Sequence, residues 1–130
     1  MKYLLDTAVW LWSVGPTERL NKKAREILEG QQELYFSVAS SWEICIKAAM
    51  GKLQTPEPVG RYLPKRLVEQ GIHALPILQH HALGVYELPP HHNDPFDRLL
   101  IAQARAEEMV ILTADRMFTK YTVKIVLCGK

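Results

Sequence analysis

Short apolar runs alternate along this chain with longer segments of helical periodicity, a pattern that is best satisfied by a parallel sheet flanked by helices. Tyr3-Leu4-Leu5 reads as a buried first strand, Leu34 to Val38 as a second, His73 to Ile77 as a short third, Met109 to Thr113 as a fourth and Thr122 to Leu127 as a last. Leu20, Ala24, Ile27 and Leu28 predict an amphipathic helix over Thr17 to Leu28, ending near Gly30. Ser40 or Ser41 suits the N-cap of a helix that stops at Gly51 and carries Glu43 in its first turn. Pro56, Pro58, Gly60 and Pro64 break the next segment, leaving a short helix from Lys65 to Gln70. A further short helix spans His80 to Glu87. Beyond the loop His91-His92-Asn93, Asp94 as cap and Pro95 at the first helical position open the clearest helix, with periodicity running to Ala106. A chain of 130 residues, 48% hydrophobic, is long enough for one core and too short for two ordinary domains, so a single domain over 1–130 is expected.

Sixteen basic and fourteen acidic residues leave a net charge of +2, which by itself announces no nucleic-acid partner. Cys45 and Cys128 lie far apart without metal-ligand spacing, which fits a reducing, cytoplasmic setting. Asp6 interrupts the apolar opening before a leader could form, and no apolar run approaches membrane-spanning length, so neither export nor insertion is expected.

Four acids fall where an α/β fold would gather them. Asp6 and Asp115 each follow a strand-like run, and Glu43 and Asp97 each open a helix, so all four are expected at the carboxyl end of the sheet, where such folds keep their crevice. Clustered carboxylates in a low-dielectric cleft repel one another and call for a divalent cation, Mg²⁺ or Mn²⁺, as in a metal-dependent nuclease. Singly, each acid has a plainer explanation: Asp97 as part of a helix start, Glu43 as the partner of Lys47, Asp115 as a turn residue. Asp94 is best read as a cap. Arg98, ahead of Arg116 and Lys120, is the candidate phosphate contact. Trp10, Trp12 and Trp42, set among aliphatic residues, read as core or interface, and His91 and His92 receive no ligand role because neighbouring histidines rarely point at one ion.

The segments Leu4 to Thr7, Ser41 to Lys47, His92 to Ala104 and Leu112 to Asp115 together resemble, in order and over nearly the whole chain, a PIN-domain protein of the VapC toxin group. The resemblance implies a three-layer α/β/α fold with a mostly parallel sheet and a Mg²⁺- or Mn²⁺-dependent endoribonuclease. Such a protein would be one half of a toxin–antitoxin pair, binding RNA and an antitoxin and forming a homodimer. It carries the metal role onto Asp6, Glu43, Asp97 and Asp115, and a water-positioning role onto Thr7 and Thr113. Similar proteins often have His where this chain has Ala8. A haloacid-dehalogenase-type phosphatase would need a second Asp two residues after Asp6, and that position is Ala8. The competing expectation is a PIN-like RNA- or protein-binding module with an idle cleft.

Overall fold

The computed structural model describes residues 1–130. Five strands, β1 (Lys2–Leu5), β2 (Glu33–Ser37), β3 (Ile72–Leu75), β4 (Val110–Thr113) and β5 (Ile125–Leu127), alternate with helices α1 (Thr7–Ser13), α2 (Lys22–Glu29), α3 (Val38–Ala49), α4 (Val59–Gln70), α5 (Gln79–Gly84) and α6 (Pro95–Glu107). The strands form one sheet in the order β3-β2-β1-β4-β5, with every neighbouring pair parallel. From β1 the chain steps outward to β2 and β3, then crosses back to β4 on the other side of β1. Connections leaving β1 and β4 therefore diverge, and the crevice between their carboxyl ends is the topological switch point.

Alternation along the strands splits the core in two. Leu5, Leu34, Phe36 and Leu112 face Val9 and Trp10 of α1, Ile27 of α2, Ile44 of α3 and Leu63 of α4. Leu4 and Ile111 face the opposite way, onto Leu100, Ile101 and Ala104 of α6 and onto Phe118. Helices thus cover both faces, giving the three-layer α/β/α arrangement, and each fully buried leucine or phenylalanine contributes about 1.5–3 kcal/mol.

Several boundaries differ from the sequence expectation for identifiable reasons. The cap of α3 is Ser37, the last residue of β2, whose hydroxyl accepts the Ala39 N–H at 3.0 Å. The helix therefore starts without a loop, and Glu43 lies in its second turn rather than its first. α4 begins at Val59 and runs through Pro64, which forfeits only the ladder bond to the Gly60 carbonyl. The segment Thr7–Ser13, to which the periodicity assigned no element, is helical: it is too short for a helical stripe to show, and its Trp10 is buried with Nε1–H donating to Gln70 Oε1 at 2.8 Å. Trp42, in contrast, is 60% exposed and packs edge-on against Phe96.

Gln103 fixes α6 against the exit of β2. Its side chain is fully buried, Oε1 accepting the Ser37 hydroxyl at 2.5 Å and Nε2 donating to the Pro76 carbonyl at 3.1 Å. Replacing it with leucine strands both partners. Gln103→Leu is expected to lower the unfolding free energy by about 1–3 kcal/mol, seen in denaturant melts as a reduced midpoint with unchanged slope.

Candidate metal centre

The two central strands deliver two of the acids directly. Asp6 follows the last residue of β1; its N–H donates to the Leu112 carbonyl at 2.9 Å, and the residue is only 7% exposed. Asp115 stands two residues beyond β4 and caps the short 3₁₀ turn Arg116–Lys120, Oδ1 accepting the Met117 N–H at 2.9 Å. Glu43 reaches the same place from α3 and Asp97 from the first turn of α6, where Asp94 is the cap, its Oδ1 accepting the Phe96 and Asp97 N–H groups. All four acids line one cleft of about 400 Å³, together with Thr7 and Lys47.

Each carboxylate is oriented by a named partner. Thr113 Oγ1 accepts the Asp115 N–H at 3.0 Å and donates to Asp6 Oδ2 at 2.8 Å, so one hydroxyl ties the ends of β4 and β1 together. Thr7 Oγ1 donates to Glu43 Oε1 at 2.7 Å, and Lys47 Nζ lies 3.0 Å from Glu43 Oε2. The plain i,i+4 pair foreseen for Glu43 therefore exists, and it exists inside the cleft. No other lysine or arginine forms an ion pair with the four acids.

Arg98 is placed differently from the sequence expectation. One terminal nitrogen donates to the carbonyls of Pro89 and His92, at 3.0 and 3.3 Å, and approaches Tyr121 Oη at 3.4 Å. The other donates to the carbonyls of Val85 and Leu88, at 3.2 and 3.3 Å. Its terminal donors are thus engaged by four carbonyls of the segment before α6.

His92, to which the sequence gives no ligand role, stands beside two of the acids. Its Nε2 lies 3.0 Å from Asp97 Oδ2 and 2.9 Å from Asp115 Oδ2. The residue type and its place five positions before Asp97, on the loop entering α6, were the available signal. A second group, His80, His81 and Glu107, also brings three such side chains together. There His81 Nδ1 accepts the Leu78 N–H at 3.0 Å, so the proton of the neutral ring is on Nε2 and is donated to Glu107 Oε2 at 2.7 Å. Both ring nitrogens of His81 are thus taken by protein partners. This group ties α5 to α6, and the His81 hydrogen bond holds the Glu107 carboxyl below its usual range.

Burial and mutual repulsion act on the acids as the cluster requires. Burial raises the Asp6 carboxyl to about 6, against the hydrogen bond from Thr113 and with help from Glu43 and Asp115. Burial, then the charges of Asp6, Asp94, Glu43 and Asp115, raise Asp97 to about 8. The donor set itself consists of carboxylate oxygens sharing one cleft, which suits a hard divalent cation such as Mg²⁺ or Mn²⁺. A cation needs the ionised acids, whereas at pH 7 the metal-free site keeps a proton on Asp97. Mn²⁺ binding at pH 7 is therefore expected to release protons, and affinity should rise as pH climbs from about 6 to about 8. Calorimetry in buffers of different ionisation enthalpy measures this; a buffer-independent heat would contradict it.

Comparison with known proteins gives the site a context. Over 60 residues, 46% of this chain, the sequence is 32% identical to Ribonuclease VapC16 of Mycobacterium tuberculosis, and the match spans 43% of that protein's length, less than half. The fold is similar to that of a chain in the VapBC2 complex of Rickettsia felis bound to a promoter DNA fragment, with a TM-score of 0.75 at 15% identity over 99% of this chain and 100% of that one. It is similar as well to a chain of DNA-bound VapBC from Salmonella typhimurium, with a TM-score of 0.70 at 16% identity over 97% of each. Residues 3–124 match the profile of the PIN domain, nearly the full length of the sheet and its helices, and the chain belongs to the PIN domain family.

Proposed function

We propose that this PIN domain, a single domain over 1–130, is a Mg²⁺- or Mn²⁺-dependent endoribonuclease, the toxin of a toxin–antitoxin pair. The observation that carries the reading is the convergence of Asp6, Glu43, Asp97 and Asp115 on one cleft at the β1/β4 switch point. The ribonuclease similar to part of the chain and the VapBC complexes similar in fold support it. All four acids are retained, which favours an active cleft over an idle one.

In this reading the four acids hold the cation. When bound, a divalent ion lowers the pKa of a coordinated water and stabilises charge developing on a phosphodiester. The chain's own groups prepare the cleft for that chemistry. Thr113 aims Asp6, Thr7 and Lys47 aim Glu43, and Lys47 at the lining offers a positive charge to an approaching phosphate. Ala8 lines the same cleft and presents only a methyl group, so it adds no proton donor there.

The partners proposed are RNA, an antitoxin and a second copy. Cys45, Ala49, Leu53, Pro56 and Val59 line a groove of about 570 Å³ between α3 and the proline-rich segment, a place for an apolar antitoxin segment. Val38, Trp42, Ile46 and Met50 recur every fourth residue along α3 and its C-cap, each at least 36% exposed, and form an apolar stripe for a homodimer. A reducing, cytoplasmic setting fits the two free cysteines, and no helix is long and apolar enough to cross a membrane.

Purified protein is expected to cut end-labelled RNA only with Mg²⁺ or Mn²⁺, leaving 5′-phosphate and 3′-hydroxyl ends. Asp97→Asn should slow cleavage at least about a hundredfold; cyclic 2′,3′-phosphate ends or EDTA-resistant cleavage would refute the mechanism. In sedimentation velocity the wild type is expected to run as a dimer and Trp42→Asp/Ile46→Asp as a monomer. An unchanged coefficient would remove the stripe from the interface.

A further inference from the structure

We infer that His92 is a positioning residue of the metal centre: its Nε2–H, shared between Asp97 and Asp115, holds those two carboxylates as a pair facing the cation. The inference rests on the metal-dependent reading above and adds to it a residue outside the four acids.

The tautomer follows from the geometry. The backbone N–H of Asp94 donates to His92 Nδ1 at 3.2 Å, and an N–H can only donate, so Nδ1 is the bare nitrogen and Nε2 carries the proton of the neutral ring. That proton faces Asp97 Oδ2 at 3.0 Å and Asp115 Oδ2 at 2.9 Å. Nε2 is therefore a donor to the ligands and not itself a ligand. Asp97 and Asp115 line the cleft, and His92 Nε2 meets each of them at Oδ2. Without it, two carboxyl groups from different elements, α6 and the turn after β4, would have no shared donor to keep them together.

The ring is itself held. Its edge stands on the buried ring of Phe118, 5.9 Å between centroids at 85°. Its backbone N–H donates to Tyr121 Oη at 2.8 Å, and its carbonyl accepts from Arg98. Arg98 thus acts one step back, fixing the loop that presents His92. Partners of metal-bound carboxylates placed in this way typically change metal affinity 10–100-fold when removed.

The test measures Mn²⁺ affinity by electron paramagnetic resonance on the wild type, His92→Ala and His92→Gln, each checked for a folded state by thermal melt. The expected result is affinity about 10–100-fold weaker in His92→Ala and restored most of the way in His92→Gln, whose amide N–H reaches the same oxygens. Equal or tighter binding by folded His92→Ala overturns the inference, as does a glutamine variant no better than the alanine one. Long-range ¹H–¹⁵N NMR on the wild type provides a second arm that needs no variant. An Nε2–H ring with and without Mg²⁺ is expected, and a bare Nε2 would make His92 a ligand and overturn its positioning role. Failure of the wild type to bind Mn²⁺ at all would remove the metal centre and this inference with it, a result distinct from the others.

Discussion

Mutual repulsion among buried carboxylates is the constraint on which the rest of the structure depends. Asp6 and Glu43 are both under 10% exposed and share their cleft with Asp97 and Asp115, yet only Lys47 brings a formal positive charge to the set. Uncompensated, such a cluster favours unfolding or proton uptake, and the raised Asp6 and Asp97 show which way the metal-free site moves. Apart from Lys47 on Glu43, the acids are held by hydrogen bonds from the hydroxyls of Thr7 and Thr113, the backbone N–H of Met117 and the imidazole of His92. The hydroxyl and backbone donors orient without neutralising, so the acids still call for a cation in the folded chain.

The architecture explains why four residues so far apart in the chain can meet. With β1 at the centre of an all-parallel sheet, every strand ends at the same edge, and the crossover from β3 to β4 opens the crevice beside β1. α3 leaves β2 with no intervening loop, because Ser37 is both the last strand residue and the helix cap, and this sets Glu43 a turn deeper than a looped start would. Gln103 then secures α6 to that same junction, so Glu43 and Asp97 are placed relative to each other through one buried amide. Arg98, Tyr121 and Phe118 perform the corresponding task for the loop that carries His92.

Much of this was legible in the residues, and the failures are physical. Strands such as Leu4-Leu5 and Val110–Thr113 announce themselves because parallel strands are buried on both faces and are written as unbroken apolar runs. The acids at their ends followed from the same rule. α1 was missed because seven residues crowded with aromatics show no polar face, and α4 was shortened because a proline breaks a periodicity more readily than it breaks a helix already packed through Leu63 and Leu67. The surroundings of Arg98 and His92 were not legible, for a reason no local pattern contains. Arg98 lies on α6 and His92 on the loop before it, and their contacts with each other and with Tyr121 are tertiary ones that form only when that loop folds over the helix start.

The most direct measurement of the central claim is anomalous diffraction from a crystal of this protein soaked in Mn²⁺. A peak is expected within coordinating distance of carboxylate oxygens from Asp6, Glu43, Asp97 and Asp115, with His92 still donating to Asp97 and Asp115. No peak there at saturating Mn²⁺, or a peak only at His80 and Glu107, would contradict it.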